Sequence, residues 1–463
     1  MKSSEVNREV TKVTLVYPFF QPSKDNSIFR FPPLGLGYVA ASLKKKDFQV
    51  ELVDCTFLTK KGAIEKVRGS KPQIIGFYSM FSMKKTSLEL ASILKKDCDL
   101  MVVGGPLPTL DPTDYLDVFD VAVLGEGENS MVELAEKFET SKDCSAVKGI
   151  AYKGEGEVRF SEPRGFVENL DELPFPSRDL FDNEAYKSYY FKRYGYSISP
   201  MITSRGCPFS CDFCSRPVFG QSFRVRSAAN IVNEVETIVG LGYDRVWFAD
   251  DCFTLNRERL LDVCNELVKR RLKVGWECLS RVDTMDLEVA ERMRRAGCVR
   301  VFFGIESGSN STLSLMRKQI TVEQARKAVY NAKAAGLQVG AFFIIGYPGE
   351  SDASVLDTVR FASSLPLDYL SFTLPYPIPG TALFERVKDN GGLMVDDWEE
   401  PKNWSLIRHK LLYGSNFSEA KLKFAIGKAH LQFYGRRYLG EKGYNIIGEP
   451  IEQLTDAAFK LIP

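Results

Sequence analysis

The stretch SISPMITSRGCPFSCDFC, residues 197–214, joins a short apolar run to three closely spaced cysteines. The run SISPMIT is typical of a strand, and Cys207, Cys211 and Cys214 follow on the loop after it. Three thiolates on one short loop suit a soft metal centre, because thiolate selects zinc, copper(I) or iron-sulfur clusters. A single cysteine is more often a small buried hydrophobe, but the clustering of three favours a metal.

The scarcity of histidine argues against structural zinc at this loop. Such a site needs four protein ligands, and the two histidines of the chain, His409 and His430, lie far downstream. Three ligands offered to a four-iron cluster leave one iron open for a substrate, as catalytic metal sites generally do. The three cysteines therefore favour an iron-sulfur cluster over structural zinc.

An alternation of strands and amphipathic helices surrounds and follows this loop. The strand-like runs are SISPMIT, YDRVWFAD, KVGWECLS, CVRVFFGIE, QVGAFFIIG and DYLSFTL. Six such units predict a partial (β/α)6 barrel of the TIM type, two units short of the full eight. Functional residues are expected at the carboxyl ends of its strands.

A second alternation occupies residues 13–140. Its strand-like runs are VTLVY, FQVELV, QIIGFY, DLMVVGG and DVAVL, with helical periods between them. The pattern predicts an α/β fold, a doubly wound Rossmann-like domain with a five-stranded parallel sheet, whose ligands lie beyond the carboxyl ends of the strands.

Changes in this rhythm suggest four segments. A Rossmann-like domain over 1–145 precedes a connector over 146–195 that wraps rather than folds alone. The partial barrel follows over 196–388, and a small, mostly helical domain over 389–463 ends the chain.

Charge and hydropathy narrow the classes of partner. Lysine and arginine total 61 against 60 aspartates and glutamates, so no global field attracts nucleic acid or an anionic membrane. We find neither a signal-peptide pattern nor a run of 18 apolar residues. We therefore expect a cytoplasmic protein with no transmembrane segment and no nucleic-acid partner.

The segment CPFSCDFC resembles the CxxxCxxC signature of the radical S-adenosylmethionine superfamily, including the aromatic Phe213 before the last cysteine. Four motifs in the family's order, ADD, SRVDTM, GIESGS and FIIGYPGE, extend the resemblance over about residues 196–385. In that family S-adenosylmethionine chelates the open iron, and reduction of the cluster by a flavodoxin or ferredoxin yields a 5′-deoxyadenosyl radical. The resemblance assigns contacts with S-adenosylmethionine to Phe213, Asp250, Asp251, Arg281, Glu306, Ser307, Gly346 and Gly349.

The N-terminal motifs FPPLGLGYVAASL, VELVD, VVGGP and VLGEGE resemble a cobalamin-binding domain fused to such a barrel. The family with this arrangement includes cobalamin-dependent methyltransferases and the anaerobic magnesium-protoporphyrin monomethyl ester cyclase. The residues expected to line the cobalamin pocket are Pro18, Phe19, Ser79, Gly104, Gly105, Gly125 and Glu126. The alternative is a Rossmann-like domain that has lost its cofactor and only packs against the barrel.

The loop YPFFQPSKDNSIFRFPP, residues 17–33, departs from the cobalamin domains that ligate cobalt through histidine. No histidine occurs in residues 1–408, so this domain offers cobalt no imidazole. A weak or absent lower ligand favours cobalt(I), a strong nucleophile able to take a methyl group.

Two further features receive a functional and a structural interpretation. Cys252 follows ADD directly, where a thiol would donate a hydrogen atom or bind iron, although simple burial is the alternative. The remaining cysteines, which we expect to be buried, are Cys55, Cys98, Cys144, Cys264, Cys278 and Cys298.

Residues 402–442 carry nine Lys or Arg against two Glu. Within them, Leu422, Ile426, Ala429 and Phe433 share one helical face. The pattern favours a helix that covers the barrel mouth and exposes a basic face. A docking surface for a membrane or a polypeptide is the alternative.

The resemblance implies a cobalamin-dependent radical S-adenosylmethionine methyltransferase that acts on an unactivated carbon. One S-adenosylmethionine would methylate cob(I)alamin, and a second would supply the radical that removes a substrate hydrogen, after which the carbon takes the methyl group from methylcobalamin. A ring-forming cyclase or rearrangement enzyme with the same cofactors is one alternative, and a non-catalytic cobalamin or redox sensor is another. A transfer RNA methylthiotransferase is disfavoured, because Cys55, Cys98 and Cys144 are too scattered for a second cluster. The acceptor stays open between a peptide or protein residue, a lipid, and a tetrapyrrole or natural-product intermediate.

Overall fold

The computed structural model describes residues 11–20, 30–141, 143–389, 392 and 411–462. The chain forms two compact units. The described part of the first unit runs to Ser197 and also includes Arg216–Arg224. The second unit contains Ile198–Ser215 and the described chain from Val225 onward. The predicted connector therefore belongs to the first unit.

The first unit is a doubly wound α/β domain. Its strands are β1 (Lys12–Tyr17), β2 (Gln49–Asp54), β3 (Ile74–Tyr78), β4 (Leu100–Gly104), β5 (Val121–Val123), β6 (Ile150–Gly154) and β7 (Glu157–Phe160). Its helices are α1 (Leu34–Lys44), α2 (Lys60–Ser70), α3 (Lys84–Leu94), α4 (Pro106–Leu110), α5 (Gly127–Thr140) and α6 (Asn183–Tyr194). The sheet order is β2-β1-β3-β4-β5-β6-β7, and β1 to β5 are parallel, as predicted. Separate apolar cores lie under α1 with α5 and under α2 with α3.

The connector does not form a separate sheet, but its residues 150–160 add two strands to the sheet of the first unit, which the sequence analysis did not predict. There β6 and β7 form an antiparallel hairpin that extends the five predicted strands to seven. Glu155 and Gly156 make its two-residue turn with φ values of 56° and 87°. Such a turn matches the right-handed twist of paired strands, so the Glu-Gly dipeptide in KGEGEVRF was the missed signal.

The second unit contains the six-stranded parallel sheet. Its strands, with the short β10 at the junction of the units, are β8 (Ile198–Met201), β9 (Ser204–Arg205), β10 (Arg224–Val225), β11 (Arg245–Phe248), β12 (Gly275–Ser280), β13 (Cys298–Glu306), β14 (Gln338–Ile344) and β15 (Tyr369–Thr373). Its helices are α7 (Ala228–Gly240), α8 (Arg257–Lys269), α9 (Leu287–Arg295), α10 (Asn310–Leu315), α11 (Val322–Ala334), α12 (Asp352–Ser364), α13 (Ala382–Asp389) and α14 (Glu419–Leu461). The order β15-β14-β13-β12-β11-β8 follows the chain, which confirms the six predicted strands of a partial barrel.

Polar side chains define where the barrel helices begin. Each accepts a hydrogen bond from a backbone N–H of the first turn, which otherwise lacks a partner. These caps are Ser227 for α7, Asn256 for α8, Asp286 for α9, Thr321 for α11 and Ser351 for α12. The loops between strand ends and caps therefore have defined lengths.

Helix α14 confirms the predicted apolar face, because Leu422, Ile426, Ala429 and Phe433 are all buried with the barrel core. Gly440, with φ 66° and ψ 170°, divides α14 into two helical halves. Within the described parts of the chain, no helix has both the length and the apolar character that a bilayer crossing requires.

The prediction of a solvated basic face is wrong for two lysines of α14. Lys421 and Lys428 are buried. Lys421 lies 3.0 Å from a carboxylate oxygen of Asp352, and Lys428 lies 2.8 Å from one of Asp456. The carboxylates come from α12 and from the second half of α14, which sequence spacing does not reveal. His409 and the other basic residues of 402–410 lie outside the described residues.

Candidate functional site

The three clustered cysteines differ in exposure from most other cysteines. Cys214 is exposed, and Cys207 and Cys211 are half-buried. The cysteines at 55, 252, 264, 278 and 298 are buried, whereas those at 98 and 144 are half-buried. Burial raises the pKa of the Cys55 and Cys264 thiols to about 12, which makes them poor thiolate ligands.

The described residues contain no group of three or more His, Cys, Asp or Glu side chains that converges on one ion. A four-iron cluster does not require such convergence, since each thiolate binds a different iron. Three accessible thiols on one loop beyond the carboxyl end of β8 therefore fit the donor set of a cluster.

Arg281, which follows β12, contacts the cysteine loop through an aromatic ring. Its guanidinium lies 3.5 Å from the ring centroid of Phe209, and it donates hydrogen bonds of 2.9 and 2.8 Å to Asp283. A further bond of 3.2 Å reaches the carbonyl of Lys318. The buried Arg281 thus connects the end of β12, the cysteine loop and the segment after α10.

Glu306, the last residue of β13, forms a buried ion pair with Lys318 at 2.8 Å. Gly304 leaves room for the pair, because a Cβ there would lie 2.6 Å from the Glu306 oxygen. Burial alone would lower the pKa of Lys318, but attraction to Glu306 and Cys211 outweighs it and raises the pKa. The Lys318 ammonium, 5.8 Å from the Phe213 ring centroid, is therefore a permanent cation beside the cysteine loop.

Like Arg281 and Glu306, two more residues assigned to S-adenosylmethionine, Asp250 and Ser307, are engaged by the protein. The Asp250 carboxylate accepts hydrogen bonds from the backbone N–H of Thr203 at 2.6 Å, from its hydroxyl, and from Ser204 at 2.6 Å. The Ser307 hydroxyl is 2.9 Å from that of Thr358 on α12. Asp251 is exposed. Asp250 therefore supports the chain before the cysteine loop, while Asp251 is the accessible carboxylate of ADD.

The Cys252 thiol is buried and lies 3.7 Å from the Thr254 hydroxyl. Burial raises its pKa to about 11, and the nearby Cys207 acts in the same direction. The sulfur therefore keeps its hydrogen at neutral pH. It lies close enough to Cys207, the first clustered cysteine, for the two groups to interact electrostatically.

The glycine turn, residues 345–350, follows β14 and is backed by helix α14. Gly346 and Gly349 have φ values of 81° and 93°, which side chains rarely adopt. A Cβ at Gly346 would also lie 2.4 Å from Leu422 of α14. The two glycines are therefore required by the backbone path of the turn and, at Gly346, by its close packing against α14.

Glu350, the last residue of the glycine turn, forms a hydrogen bond back to the turn. Its buried carboxylate accepts hydrogen bonds from the Tyr347 backbone N–H at 2.8 Å and the Thr312 hydroxyl at 3.2 Å. Burial raises the pKa of this carboxyl to about 7.

In the first unit, the ends of β3 and β4 meet closely. The Ser79 N–H donates a 2.8 Å hydrogen bond to the Gly104 carbonyl, and the Ser79 and Tyr115 hydroxyls are 2.7 Å apart. Gly105 has a φ of 113°, and a Cβ there would lie 2.5 Å from the Ser79 carbonyl. Gly105 is therefore required for the close packing of the two strand ends, and it lies at the edge of the sheet where doubly wound domains bind ligands.

The other residues expected at the cobalamin pocket have different surroundings. Glu126 is buried and engaged, because its carboxylate lies 2.8 Å from Arg224 Nη1 and accepts a 2.7 Å bond from the Val167 N–H. Gly125 donates a 3.0 Å bond to the Thr109 hydroxyl, and Pro18 is buried.

Phe19 is half-buried, with the guanidinium of Arg30 at 4.5 Å from its ring centroid. Residues 21–29 of the loop that lacks histidine lie outside the described residues.

Comparison with known proteins agrees with both halves of this arrangement. The Radical SAM superfamily matches residues 201–362, and the B12 binding domain matches residues 25–135. An uncharacterised methyltransferase of Pyrococcus horikoshii is 33% identical over 442 residues, which are 92% of this chain and 93% of that protein. The chain belongs to the cobalamin-binding radical S-adenosylmethionine family.

This chain is also similar to the anaerobic magnesium-protoporphyrin IX monomethyl ester cyclase of Cereibacter sphaeroides. The two are 26% identical over 92% of this chain and 73% of that protein. Among solved structures, the cobalamin-dependent S-adenosylmethionine radical enzyme OxsB has a TM-score of 0.75 at 21% identity. That match covers 97% of this chain and 72% of OxsB, and it shows the shared fold.

The matched domains imply three cofactors for this radical enzyme: a 4Fe-4S cluster, S-adenosylmethionine and cobalamin. The accessible cysteines fit the first, and the sheet edge at Gly105 lies where doubly wound domains bind ligands. Sequence reasoning missed Lys318, which belongs to no quoted motif, and it gave no role to Glu350 although that residue ends the FIIGYPGE motif; burial beside the site singles out both.

Proposed function

We propose that this chain transfers a methyl group from methylcobalamin to an unactivated carbon of its substrate. The observation that carries the proposal is the set of three accessible cysteines after the first barrel strand, in a chain that also has a cobalamin-binding domain. When bound, the cofactors supply the methyl group and the 5′-deoxyadenosyl radical that removes a substrate hydrogen. Such chemistry leaves orientation and exclusion of water to the protein.

The chain's own residues divide these tasks. Cys207, Cys211 and Cys214 hold the cluster, and the Lys318 cation offsets the negative charge of its thiolates. The glycines of the glycine turn allow its backbone path on the adenine side.

Three residues act as side-chain partners in this proposal. Arg281 and Asp251 bind charged or polar groups of S-adenosylmethionine, Arg281 from the end of β12 and Asp251 from its exposed position. Cys252, protonated and buried near Cys207, is the candidate hydrogen donor.

The test of this function begins with the protein purified and reconstituted anaerobically with iron, sulfide and cobalamin. The variant Cys207→Ala, Cys211→Ala, Cys214→Ala is expected to lose the 4Fe-4S absorption and electron paramagnetic resonance signals while it keeps cobalamin. The matched control, Cys98→Ala with Cys144→Ala, removes two half-buried cysteines of the first unit and is expected to keep both cofactors. Loss of cluster signals in the control alone would refute the assignment of ligands.

Methyl-labelled S-adenosylmethionine then separates the candidate reactions. We expect 5′-deoxyadenosine together with label in the acceptor. The second candidate, a ring-forming cyclase, is favoured by the similarity to the magnesium-protoporphyrin cyclase over 92% of this chain, and it would give 5′-deoxyadenosine without label transfer. A sensor would give neither product after reduction of a fully loaded cluster.

The narrower proposal is that the acceptor is a peptide or protein residue. The support is the set of exposed apolar side chains on α14, with Tyr434 and Tyr438 before Gly440 exposed at 48% and 79%, and Ile447 and Leu454 after it exposed at 54% and 71%. The exposed Arg437 adds a cationic group next to Tyr438. Labelled S-adenosylmethionine in an anaerobic extract should place label in material that proteinase K solubilises; label in organic extracts would instead indicate a lipid or tetrapyrrole acceptor.

A further inference from the structure

Asp212 directly follows Cys211, the second of the three clustered cysteines. Two elements of the second unit hold its backbone in place. Asp212 is only 4% exposed, although it belongs to a loop with accessible cysteines. Its backbone N–H donates a 3.0 Å hydrogen bond to the carbonyl of Met316, and its carbonyl accepts a 2.9 Å bond from the N–H of Leu383. The end of α10 and the start of α13 therefore fix the backbone beside Cys211.

The Asp212 side chain reaches the glycine turn. The Tyr347 hydroxyl donates a 2.7 Å hydrogen bond to its carboxylate, and the Arg386 guanidinium of α13 donates to the same oxygen. Arg386 also lies 3.2 Å from the Tyr347 hydroxyl, which closes a triangle of three side chains. Burial and the Asp212 carboxylate raise the pKa of Tyr347, so its hydroxyl remains a donor.

The ring of Tyr347 continues this connection. The Tyr347 ring packs edge-on against the Phe213 ring, with the two ring centroids 6.4 Å apart. The Arg386 guanidinium lies 5.4 Å from the centroid of the Tyr347 ring. Phe213 immediately precedes Cys214. A movement of the glycine turn is therefore transmitted to both residues that separate Cys211 from Cys214.

The network also places opposite charges next to the cysteine loop. Asp212 contributes a buried negative charge, and Arg386 contributes the cation that offsets it. Reduction of an iron-sulfur cluster adds an electron, so a nearby anion opposes reduction and a nearby cation favours it. Asp212 is shielded from water, so its effect exceeds that of an exposed group, whereas the Arg386 side chain is 36% exposed and its effect is partly screened.

We propose that Asp212, Tyr347 and Arg386 form a positioning network that joins the cysteine loop to the glycine turn and sets the reduction potential of the cluster. Asp212 and Arg386 shift that potential in opposite directions, and Tyr347 couples it to occupation of the turn by S-adenosylmethionine. The inference needs the cluster but not methyl transfer, so it stands or falls independently of the acceptor.

The test is a redox titration of the reconstituted protein, followed by electron paramagnetic resonance, with iron content measured on each sample. Asp212→Asn, which keeps the side-chain shape, is expected to raise the midpoint potential. Arg386→Gln is expected to lower it, and Arg386→Lys, which keeps the charge, should restore a value near that of the wild type. A general folding defect does not produce shifts of opposite sign with recovery by lysine.

Tyr347→Phe tests the coupling. It should keep the iron content but weaken the spectral change that S-adenosylmethionine causes in the reduced cluster. Asp368→Asn and Lys333→Gln serve as controls, because this 2.8 Å ion pair lies at the opposite, amino end of the strands and should leave the potential unchanged.

Equal potentials in Asp212→Asn, Arg386→Gln and the wild type, or shifts of the same sign, would overturn the electrostatic part of the proposal. An unchanged response to S-adenosylmethionine in Tyr347→Phe would overturn the coupling. If Asp212→Asn retains too little iron, the contrast between Arg386→Gln and Arg386→Lys still decides the sign.

Discussion

The Lys318 ammonium and the Glu306 carboxylate form an ion pair of 2.8 Å in which both side chains are about nine-tenths buried. Removing one partner of such a pair leaves an uncompensated buried charge. We expect Lys318→Met to lower the free energy of unfolding by about 3–5 kcal/mol. The double variant Lys318→Met, Glu306→Gln should lose clearly less, because it removes both charges.

Urea unfolding followed by tryptophan fluorescence measures this effect, since all four tryptophans lie in residues 247–404. Lys423→Met is the control in the same unit, because the Lys423–Glu419 pair is exposed and should contribute at most about 1 kcal/mol. A loss in the double variant as large as in Lys318→Met would contradict the pairing argument.

Glu350 should make stability depend on pH between about 4.5 and 7. Its pKa is raised from 4.5 to about 7 by burial, so the folded state binds the proton more tightly than the unfolded chain does. The contribution of this group is therefore fully present below pH 4.5 and is lost as pH rises to 7, with a slope of up to about 1.4 kcal/mol per pH unit.

The variant Glu350→Gln tests this dependence, because the amide keeps an oxygen acceptor for the Tyr347 N–H. Urea midpoints measured from pH 5 to 8 should fall less steeply in the variant than in the wild type. Identical slopes would show that Glu350 is ionised throughout the range.

The buried Glu126–Arg224 pair should stabilise the first unit. Both side chains are 4% exposed, and Arg224 also donates a 2.7 Å bond to the Val167 carbonyl. We expect Arg224→Gln to lower the free energy of unfolding by about 3–5 kcal/mol, measured by circular dichroism during urea unfolding. Lys95→Gln, in the exposed pair with Asp120, should change it by less than about 1 kcal/mol; a similar loss in both variants would refute the importance of burial.

Gly105→Ala should disturb the proposed cobalamin edge. A side chain at φ 113° costs roughly 1–3 kcal/mol, and the Cβ would meet the Ser79 carbonyl at 2.5 Å. We expect the purified variant to retain less cobalamin, as measured by absorbance after desalting. Gly69→Ala, in α2 with no atom within 4 Å of the new Cβ, should retain it fully and gain about 0.5–1 kcal/mol.

Much of the fold was readable from hydrophobic periodicity. All five strands of the first alternation and all six of the second form where the apolar runs predict them. The β6–β7 hairpin was missed, because its outer residues are polar and its turn is only two residues long. Local patterns therefore predict buried elements better than edge strands.

The sequence predicted some features of the candidate site, whereas other features emerged only from the structure. The spacing of Cys207, Cys211 and Cys214 predicts the cluster loop, because thiolate ligands on one loop are close in sequence. Asp250 was assigned to S-adenosylmethionine, yet its oxygens are occupied by Thr203 and Ser204. The spacing of residues along the chain does not predict hydrogen bonds between side chains that come from different strands.

The sequence by itself determined the parallel α/β architecture, the three cysteines proposed as cluster ligands and the absence of histidine before residue 409, because periodicity, local spacing and composition are properties of the chain. The tertiary structure alone decided which charges are buried and paired, as in Glu306 with Lys318, Glu126 with Arg224, and Asp212 with Tyr347 and Arg386. The physical reason is that the strength of a charge interaction depends on distance and on exclusion of water, and both are set when separate segments pack together.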